Sequence, residues 1–479
     1  NLPQNYDPSL FKSIKKKFPK LYGKTYSLLK VNDLLKDINS IALSKQYEFI
    51  NASINEKLSG DKIDLSINIS ESEKFYVEKI NINGNYTTLE EVIRNNLIID
   101  EGDPYNKILF NKSLNDIRSL GIFKSVKTQI NQGSNDSYKV IDIDVEERPT
   151  GEISLQAGIG TTGKTLGGGI REKNFLGKGI NLNTNLELTP ESIKGKFVYA
   201  KPNFNYSDNT LFTSLESSSE DYLDDFGYKT SLIGFSLGTR FEQFQNVYLR
   251  PEIDFKIEDL ETTNSATDTI KKQDGSYTDL YFNYAITQDL RDKKFKPEDG
   301  YQTYFAQELP LISDNNEISN TFEVTKYKKL STRSGMIGKV SLYGKMVKAL
   351  TGDDVRISKR LHIPSYKLRG FEKGKIGPVD NKDYVGGNYI STLNFSSTLP
   401  NLFQNLENLD ISLFLDTANI WGVDYDSSLD DKSAIRSSTG VALNLMTPVG
   451  PLSFSFSNAL SKASSDKTET FRFNLGTSF

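Results

Sequence analysis

LSFSFS, residues 452–457, places its leucine and two phenylalanines on one face of an extended chain and its three serines on the other. FRFNLGTSF, residues 471–479, repeats this alternation at the end of the sequence. Side chains on a β-strand point to opposite faces in turn, so a period of two indicates a strand whose faces meet different surroundings. The sequence therefore predicts antiparallel strands with one apolar and one polar face.

Alternating segments of about ten residues recur from residue 150 to the end, separated by Gly, Asn, Asp and Ser clusters. They lie around residues 153–160, 180–188, 209–216, 231–237, 247–257, 280–286, 301–309, 337–347 and 439–445. A soluble sandwich also alternates, but the number of segments and the aromatic residues at strand ends favour a membrane barrel with interfacial girdles. Those aromatic residues are Tyr199, Tyr281, Phe282, Tyr284, Tyr301, Tyr304 and Phe305. About 330 residues at roughly 20 per strand and connection predict an all-β transmembrane barrel of 16 antiparallel strands.

The composition excludes several classes of function. Lys and Arg total 58 against 62 Asp and Glu, so the chain lacks the basic excess with which proteins bind nucleic acid. It has no Cys and one His, which excludes disulfides and Cys nucleophiles and leaves little for a metal site or a general base. We therefore expect no enzyme activity, no catalytic residue, no metal and no cofactor.

The chain before residue 149 is predicted to be mixed α/β. Residues 31–46 carry apolar side chains at helical spacing, and strand-like runs follow near 47–56 and 62–70. Residues 75–148 then give the order β-α-α-β-β, with a Gly84-Asn85 turn signal after the first strand. This order forms one compact α+β unit.

The earlier segment repeats the helix and the last two strands of that unit but lacks its opening strand. We therefore predict a partial module over residues 1–74, a complete module over 75–148 and the barrel over 149–479. We also expect Asn1 to lie inside a module that further modules precede.

GIGTTGKT, residues 158–165, matches two nucleotide-binding patterns, G-x-x-x-x-G-K-T and G-x-G-x-x-G. A phosphate-binding loop needs a buried strand before it and a helix after it. The preceding residues alternate instead, and the following LGGG carries too many glycines for a helix. We predict a hairpin turn between the first two barrel strands, and no nucleotide.

Residues 365–400 resemble the sixth outer loop and following strand of the BamA-type outer-membrane protein assembly family. The family's [VIL]-R-G-[FY] tetrad is matched by Leu368, Arg369, Gly370 and Phe371. The other segments similar to the family are SLGIFKSVKTQI at 119–130, RDKKFKPEDGYQTYF at 291–305, FLDTANIW at 414–421 and MTPVGPLSFSFS at 446–457. The resemblance implies POTRA modules in the periplasm followed by a barrel in the bacterial outer membrane.

The resemblance also implies roles for the tetrad. In the family it folds back into the barrel lumen, where its Arg pairs with an acidic residue on a late strand, and Asp416 occupies that place. A second family acid falls near position 394, which is Asn394 here, so a two-carboxylate clamp is not expected. Gly370 would permit a backbone conformation closed to other residues, and Phe371 would pack on the inner wall.

A closed barrel has a seam between its first and last strands, here around residues 152–160 and 471–479. Glycines on both strands pack weakly and loosen their pairing. The residues that we expect to form this lateral seam are Ile153, Leu155, Gly158, Gly160, Phe471, Phe473, Leu475, Gly476 and Phe479.

The resemblance implies assembly and insertion of β-barrel proteins by strand pairing at this seam. The implied partners are unfolded outer-membrane proteins, periplasmic lipoprotein subunits of an assembly complex, and the lipid bilayer. A two-partner secretion transporter is the main alternative, and a TamA-like assembly protein is a closer one. A passive porin would have no use for the tetrad or the modules.

Overall fold

The computed structural model describes residues 12–23, 31, 34–35, 37–38, 50–60, 62–71, 75–161, 163–224, 226–264, 266–292, 297–331, 335–351, 354–399, 409–425, 429, 433–447 and 450–475. The chain divides into two compact units. The first contains residues 1–150 with 173–179, and the second contains 151–172 with 180–479. No helix among these described ranges has the length and apolar character needed to cross a membrane.

The first unit begins with short helices at Lys12–Lys15 and Phe18–Leu21 and a hairpin of β1, Ile50–Ser59, with β2, Lys62–Glu71. The predicted helix over 31–46 is helical at 31, 34, 35, 37 and 38, and residues 39–46 lie outside the described part. Its apolar residues Val31, Leu34 and Ile38 are buried, as their helical spacing predicts.

The rest of this unit has the predicted β-α-α-β-β order. Its elements are β3 Tyr76–Asn83, helices Glu90–Arg94 and Lys107–Ser119, β4 Phe123–Gln132 and β5 Tyr138–Glu147. The sheet order is β3-β5-β4, with β5 parallel to β3 and antiparallel to β4. The helices and sheet share one core, in which Ile80, Ile93, Ile117, Ile141 and Ile143 are fully buried. Each such side chain stabilises the fold by about 1.5–3 kcal/mol.

The second unit is a closed barrel of sixteen antiparallel strands, which confirms the predicted fold class. In chain order the wall strands are β6 Gly151–Gly160, β7 Gly163–Phe175, β8 Ile180–Leu188, β9 Ser192–Lys201, β10 Thr210–Tyr222, β11 Tyr228–Phe244, β12 Val247–Thr262, β13 Gly275–Asp289, β14 Gly300–Ser313, β15 Glu317–Lys329, β16 Ile337–Ala349, β19 Tyr389–Thr398, β20 Leu409–Trp421, β21 Arg436–Thr447, β22 Gly450–Ser461 and β23 Phe471–Leu475. Two strands of two residues each, β17 Val379–Asp380 and β18 Asp383–Tyr384, lie outside the wall and pair with each other. Each wall strand pairs with its neighbour in sequence, and β23 returns to β6.

The alternation along LSFSFS is realised in β22. Ser453, Ser455 and Ser457 are buried towards the barrel interior, whereas Phe456 is exposed on the outside. Within the glycine-rich GIGTTGKT segment, Gly160 at the end of β6 pairs with Gly163 at the start of β7, so the two strands form an antiparallel hairpin. A strand follows the turn, so the hairpin prediction is confirmed.

The connection between β16 and β19, residues 350–388, is called the lumen loop, and its described residues, 350–351 and 354–388, fold into the barrel. A helix at Asp268–Lys271 and 3₁₀ turns at Phe204–Tyr206 and Ile357–Lys359 complete the regular elements of the described part. One core joins the lumen loop to the wall through Leu361, Ile363, Leu368, Phe371, Ile390 and Ile420. A second core joins it to other loops at the same end of the barrel through Phe226, Tyr228, Ile270, Ile357 and Val385.

Candidate functional site: the lumen loop and the barrel seam

Arg369 of the lumen loop binds the Asp416 carboxylate of β20 in a bidentate pair. Its Nε donates to Asp416 Oδ2 at 2.7 Å and its Nη2 to Oδ1 at 2.8 Å, and its backbone N–H also points to Oδ2, at 3.2 Å. Asp416 is fully buried, and the guanidinium carbon lies 3.5 Å from the centre of the Phe414 ring. Planar, bidentate pairing of this kind fixes orientation as well as charge.

Lys367, two residues earlier, fixes the loop to two further strands. Its Nζ lies 2.7 Å from Glu323 Oε1 on β15 and 4.3 Å from the centre of the Tyr343 ring on β16. Its carbonyl oxygen accepts a hydrogen bond from Asn394 Nδ2 of β19 at 2.6 Å. The same amide donates to Asp416 Oδ1 at 2.9 Å, so Asn394 connects Lys367 to the Arg369–Asp416 pair.

Gly370 allows the chain to turn at the bottom of the loop. Its φ of +84° lies in the left-handed region, and a Cβ there would lie 3.0 Å from the Ser457 Cβ and 3.2 Å from the Ser438 Cβ. Leu368 and Phe371 on either side are fully buried in the apolar core that joins the loop to the wall. The tetrad therefore turns directly beside Ser438 of β21 and Ser457 of β22.

The remaining contacts extend across the late strands. Ser438 of β21 donates its hydroxyl to the carbonyl of Arg369, and Arg472 of β23 donates Nη2 to the carbonyl of Phe371 at 2.7 Å. Ser457 of β22 lies beside Gly370. Residues 367–371 therefore contact seven consecutive wall strands, from β15 to β23.

A second anchor lies near the start of the lumen loop. Arg356 is fully buried; its Nη1 donates to Glu258 at 2.6 Å and its Nη2 to Asp279 at 3.1–3.2 Å. Burial acts to lower the pKa of Arg356, but the carboxylates of Asp279 and Glu258 outweigh it and raise the pKa above its ordinary value. Ion pairs therefore hold the lumen loop both near its start and at the tetrad.

The seam joins β23 to β6. In the described part of these strands, two residue pairs connect them, Asn474 with Gly160 and Leu475 with Ile159. On its other edge β6 pairs with β7 along its whole length, from Gly151 to Gly160. Ile153 and Leu155 on β6 are 79% and 87% exposed, as expected for apolar side chains on the outer face of the wall.

The structure places the other predicted seam residues as follows. Gly158 pairs with Thr165 of β7, and Gly160 pairs with both Gly163 and Asn474. Phe471 and Phe473 lie on the face of β23 opposite to the buried Arg472, and their rings are 6.1 Å apart. Gly476 and Phe479 lie outside the described residues.

The charged side chains of this site lie in pairs. Its cations, Lys367 and Arg369, are each matched by a carboxylate. Among the residues that the structure describes, no three His, Asp or Glu side chains are grouped so as to hold a metal ion. The arrangement can fix a loop to a wall, and the seam can offer backbone donors and acceptors.

Comparison with known proteins identifies the family. Residues 174–479 match the Omp85 superfamily domain. The chain belongs to the Omp85 superfamily. Residues 75–148 match the POTRA family, described as a surface antigen variable number repeat. This Omp85 chain is therefore an outer-membrane protein with POTRA structure on the periplasmic side, and the predicted resemblance is confirmed.

The Omp85 chain is similar to outer membrane protein assembly factors. It is 24% identical to BamA of Neisseria meningitidis over 95% of this chain and 63% of that protein. It is also 24% identical to BamA of Neorickettsia risticii, over 87% of this chain and 57% of that protein. The chain thus spans about three fifths of the length of these relatives.

Solved structures show the same Omp85 fold. BamA from Haemophilus ducreyi lacking POTRA domains 1–3 superposes with a TM-score of 0.74 at 20% identity, covering 99% of this chain and 98% of that one. CdiB from Escherichia coli superposes with a TM-score of 0.58 at 13% identity, covering 99% and 89%. At these identities the likeness concerns the fold alone.

Sequence reasoning missed several residues of this Omp85 site. Lys367 adjoins the tetrad and could have been found by extending the motif by one residue. Gly167–Gly169 of β7 lie opposite Ser154–Gln156 of β6, so the glycine-rich region is wider than the predicted seam. Arg472 lies between Phe471 and Phe473, and its place on the polar face of FRFNLGTSF was the available signal.

Proposed function

We propose that this chain assembles and inserts β-barrel proteins into the outer membrane by strand pairing at the seam between β6 and β23. The observation that carries the proposal is that the first and last wall strands meet at a seam, where Asn474 pairs with Gly160 and Leu475 with Ile159. The relatives from Neisseria and Neorickettsia bear the name of assembly factor, which is consistent with this use of the seam.

The physical basis is the cost of unpaired backbone groups in lipid. Each unsatisfied N–H or C=O costs several kcal/mol in the hydrocarbon region, so an open β6 edge and an unfolded client strand both gain by pairing. The C-terminal strand of the client would add to β6 by β-augmentation, and the folded product would leave sideways. No covalent bond changes, so the process requires no catalytic residue and no cofactor.

The lumen loop would support this process from inside. The Arg369–Asp416 pair and the Lys367–Glu323 pair hold the loop against the strands from β15 to β20, which stiffens the wall on one side of the seam. Motion would then concentrate at the seam between β6 and β23. The tetrad is thus proposed as a brace rather than as a contact for the client.

The N-terminal unit would receive extended chains or accessory lipoprotein subunits. We assign it a partial module over residues 1–74 and a complete POTRA module over 75–148. Its β3 edge is already covered by backbone, because Val77 exchanges backbone hydrogen bonds with residues 102–103. The β4 edge at the other side of the sheet is therefore the proposed docking edge.

A reversible lock tests the seam. Because the chain has no Cys, Ile159→Cys with Leu475→Cys introduces one thiol pair at directly opposite positions. In liposomes, we expect the reduced protein to accelerate folding of an added unfolded barrel protein and the oxidised protein to lose that acceleration. Thr321→Cys with Lys345→Cys, opposite each other on β15 and β16, is the matched control and should be unaffected by oxidation.

The same assay separates the alternatives. Full activity with an oxidised seam would contradict insertion by strand pairing. Export of a passenger polypeptide with no acceleration of client folding would instead indicate a two-partner secretion transporter. A TamA-like protein would be active in this assay and would differ in which clients it accelerates.

A further inference from the structure

The last barrel strand is tied to the lumen loop by a side chain that lies outside the tetrad. Arg472 of β23 is 7% exposed and points into the barrel. Its Nη1 donates to the Ser365 carbonyl at 2.9 Å and its Nη2 to the Phe371 carbonyl at 2.7 Å, and it also forms an ion pair with Glu469. One guanidinium therefore bridges both ends of the 365–371 segment.

The loop before β23 also pairs with the lumen loop through its backbone. Residues 462–470, which we call the last loop, run antiparallel to residues 370–375. Glu469 N–H donates to the Gly370 carbonyl at 3.2 Å, Glu372 N–H to the Lys467 carbonyl at 3.1 Å and Lys467 N–H to the Lys375 carbonyl at 3.0 Å. This two-stranded contact, together with Arg472, is named the strap.

A buried ion pair supports the strap from the neighbouring strand. Asp466 of the last loop is 6% exposed and accepts from Arg436 Nε of β21 at 2.9 Å and Nη2 at 3.1 Å. The same carboxylate accepts from the N–H of Gly377 in the lumen loop at 3.2 Å. The last loop is thus held both to the wall and to the lumen loop.

On its outer face, β23 contacts the neighbouring strand β22 through aromatic rings. The Phe471 ring lies 5.0 Å from that of Phe456 and 6.2 Å from that of Phe454, both on β22. Aromatic pairs at such distances stabilise a contact beyond the burial of their surface alone. Towards β6, Asn474 pairs with Gly160 and Leu475 with Ile159, and the Thr161 N–H donates to the Phe473 carbonyl at 3.2 Å.

We infer that Arg472 is a positioning residue that holds β23 on the lumen loop, so that the seam opens by departure of β6 while β23 stays in place. This inference deepens the proposed function and rests on it. The two edges of the open seam then have different roles. The β6 edge would move away and pair with the client strand, whereas β23 would stay in place. A client strand would then enter beside a wall that does not shift.

Hydrogen exchange of the reconstituted chain tests the strap without any client. Loss of hydrogen bonds from a charged donor should raise amide exchange in residues 467–475 about tenfold or more in Arg472→Gln, with β6 unchanged. Arg472→Lys, which keeps the charge but not the fork, should give a smaller rise. Arg240→Gln, on an exposed Arg of β11 stacked over Tyr248, is the matched control and should change nothing in this segment. Unchanged exchange in Arg472→Gln would overturn the inference.

A second lock tests which strand moves. Glu372 and Lys467 lie opposite each other next to the Phe371–Thr468 bridge, so Glu372→Cys with Lys467→Cys can close the strap covalently. We expect the oxidised strap to retain client folding activity and to restore slow exchange in Arg472→Gln. Loss of activity on closing the strap, with the unlocked chain active, would show that β23 must leave the lumen loop and would overturn the inference. An inactive unlocked chain would instead refute the proposed function, and the exchange result would still decide on the strap.

Discussion

Asn394 donates its amide to the Asp416 carboxylate at 2.9 Å from the directly opposite position on the neighbouring strand. The same amide donates to the Lys367 carbonyl at 2.6 Å. An acid at position 394 could make neither bond in its ionised form, because a carboxylate only accepts. The chain thus pairs Arg369 with a single carboxylate that an uncharged neighbour orients.

Asn394→Asp is therefore expected to loosen the lumen loop. It would place two carboxylates opposite each other and leave the Lys367 carbonyl facing an acceptor, at a cost of about 1–3 kcal/mol. Faster amide exchange in residues 365–371 would report this loss. Asn283→Asp, where the native amide donates to Asp254 on the wall at 3.3 Å, is the matched control and should leave the loop protected.

The coupling between Arg369 and Asp416 can be measured by a double-mutant cycle. Arg369→Ala would leave the fully buried Asp416 carboxylate without its cation. This should lower the free energy of unfolding by about 3–5 kcal/mol. Asp416→Ala in addition should restore part of this loss, since no buried charge remains. Strictly additive losses, measured by the thermal transition of the reconstituted barrel, would contradict a direct interaction.

Gly370→Ala separates backbone strain from crowding. The Cβ would meet Ser457 and Ser438 at 3.0 and 3.2 Å in a left-handed conformation, so we expect a loss of about 2–5 kcal/mol in loop stability. Gly335→Ala has a similar φ of +68° with nothing within 4 Å of the new Cβ, and should cost about 1 kcal/mol. Equal losses in the two variants, measured by thermal unfolding, would show that crowding against the wall is not important.

The sequence predicts the strands and the tetrad for different reasons. A period of two follows from the pleat itself, so sixteen strands and the outward Phe456 could be foreseen. The alternation of apolar and polar residues shows which side chains point into the lumen. It does not show which loop contacts them there. The partners of Arg356 on β12 and β13, and those of Arg472 on the lumen loop, could therefore not be predicted.

His362 should make the lumen loop sensitive to acid. Burial lowers its pKa to about 4, and the charge of Arg360 acts in the same direction. The folded state thus disfavours the charged form, so stability is fully present above about pH 6.5 and falls towards pH 4 by about 2–3 kcal/mol. The His362 ring stacks on Phe226 at 4.2 Å, so His362→Phe keeps the ring without its titration. Between pH 7 and pH 4.5, thermal unfolding should shift less in His362→Phe than in the native chain, and equal shifts would contradict this role.

Thr128→Pro tests whether the β4 edge receives extended chains. The Val126 carbonyl of β4 accepts a hydrogen bond from the Arg118 side chain at 3.2 Å, so it points away from β5. Backbone groups of alternate residues on a strand point to the same side, so those of Thr128 also point away from β5. Proline at position 128 removes one outward N–H and leaves the β4–β5 ladder intact. We expect weaker binding of an unfolded barrel protein to the reconstituted chain, whereas Thr128→Ala should bind normally. Normal binding by Thr128→Pro, with unchanged amide protection in β5, would exclude this edge as the docking site.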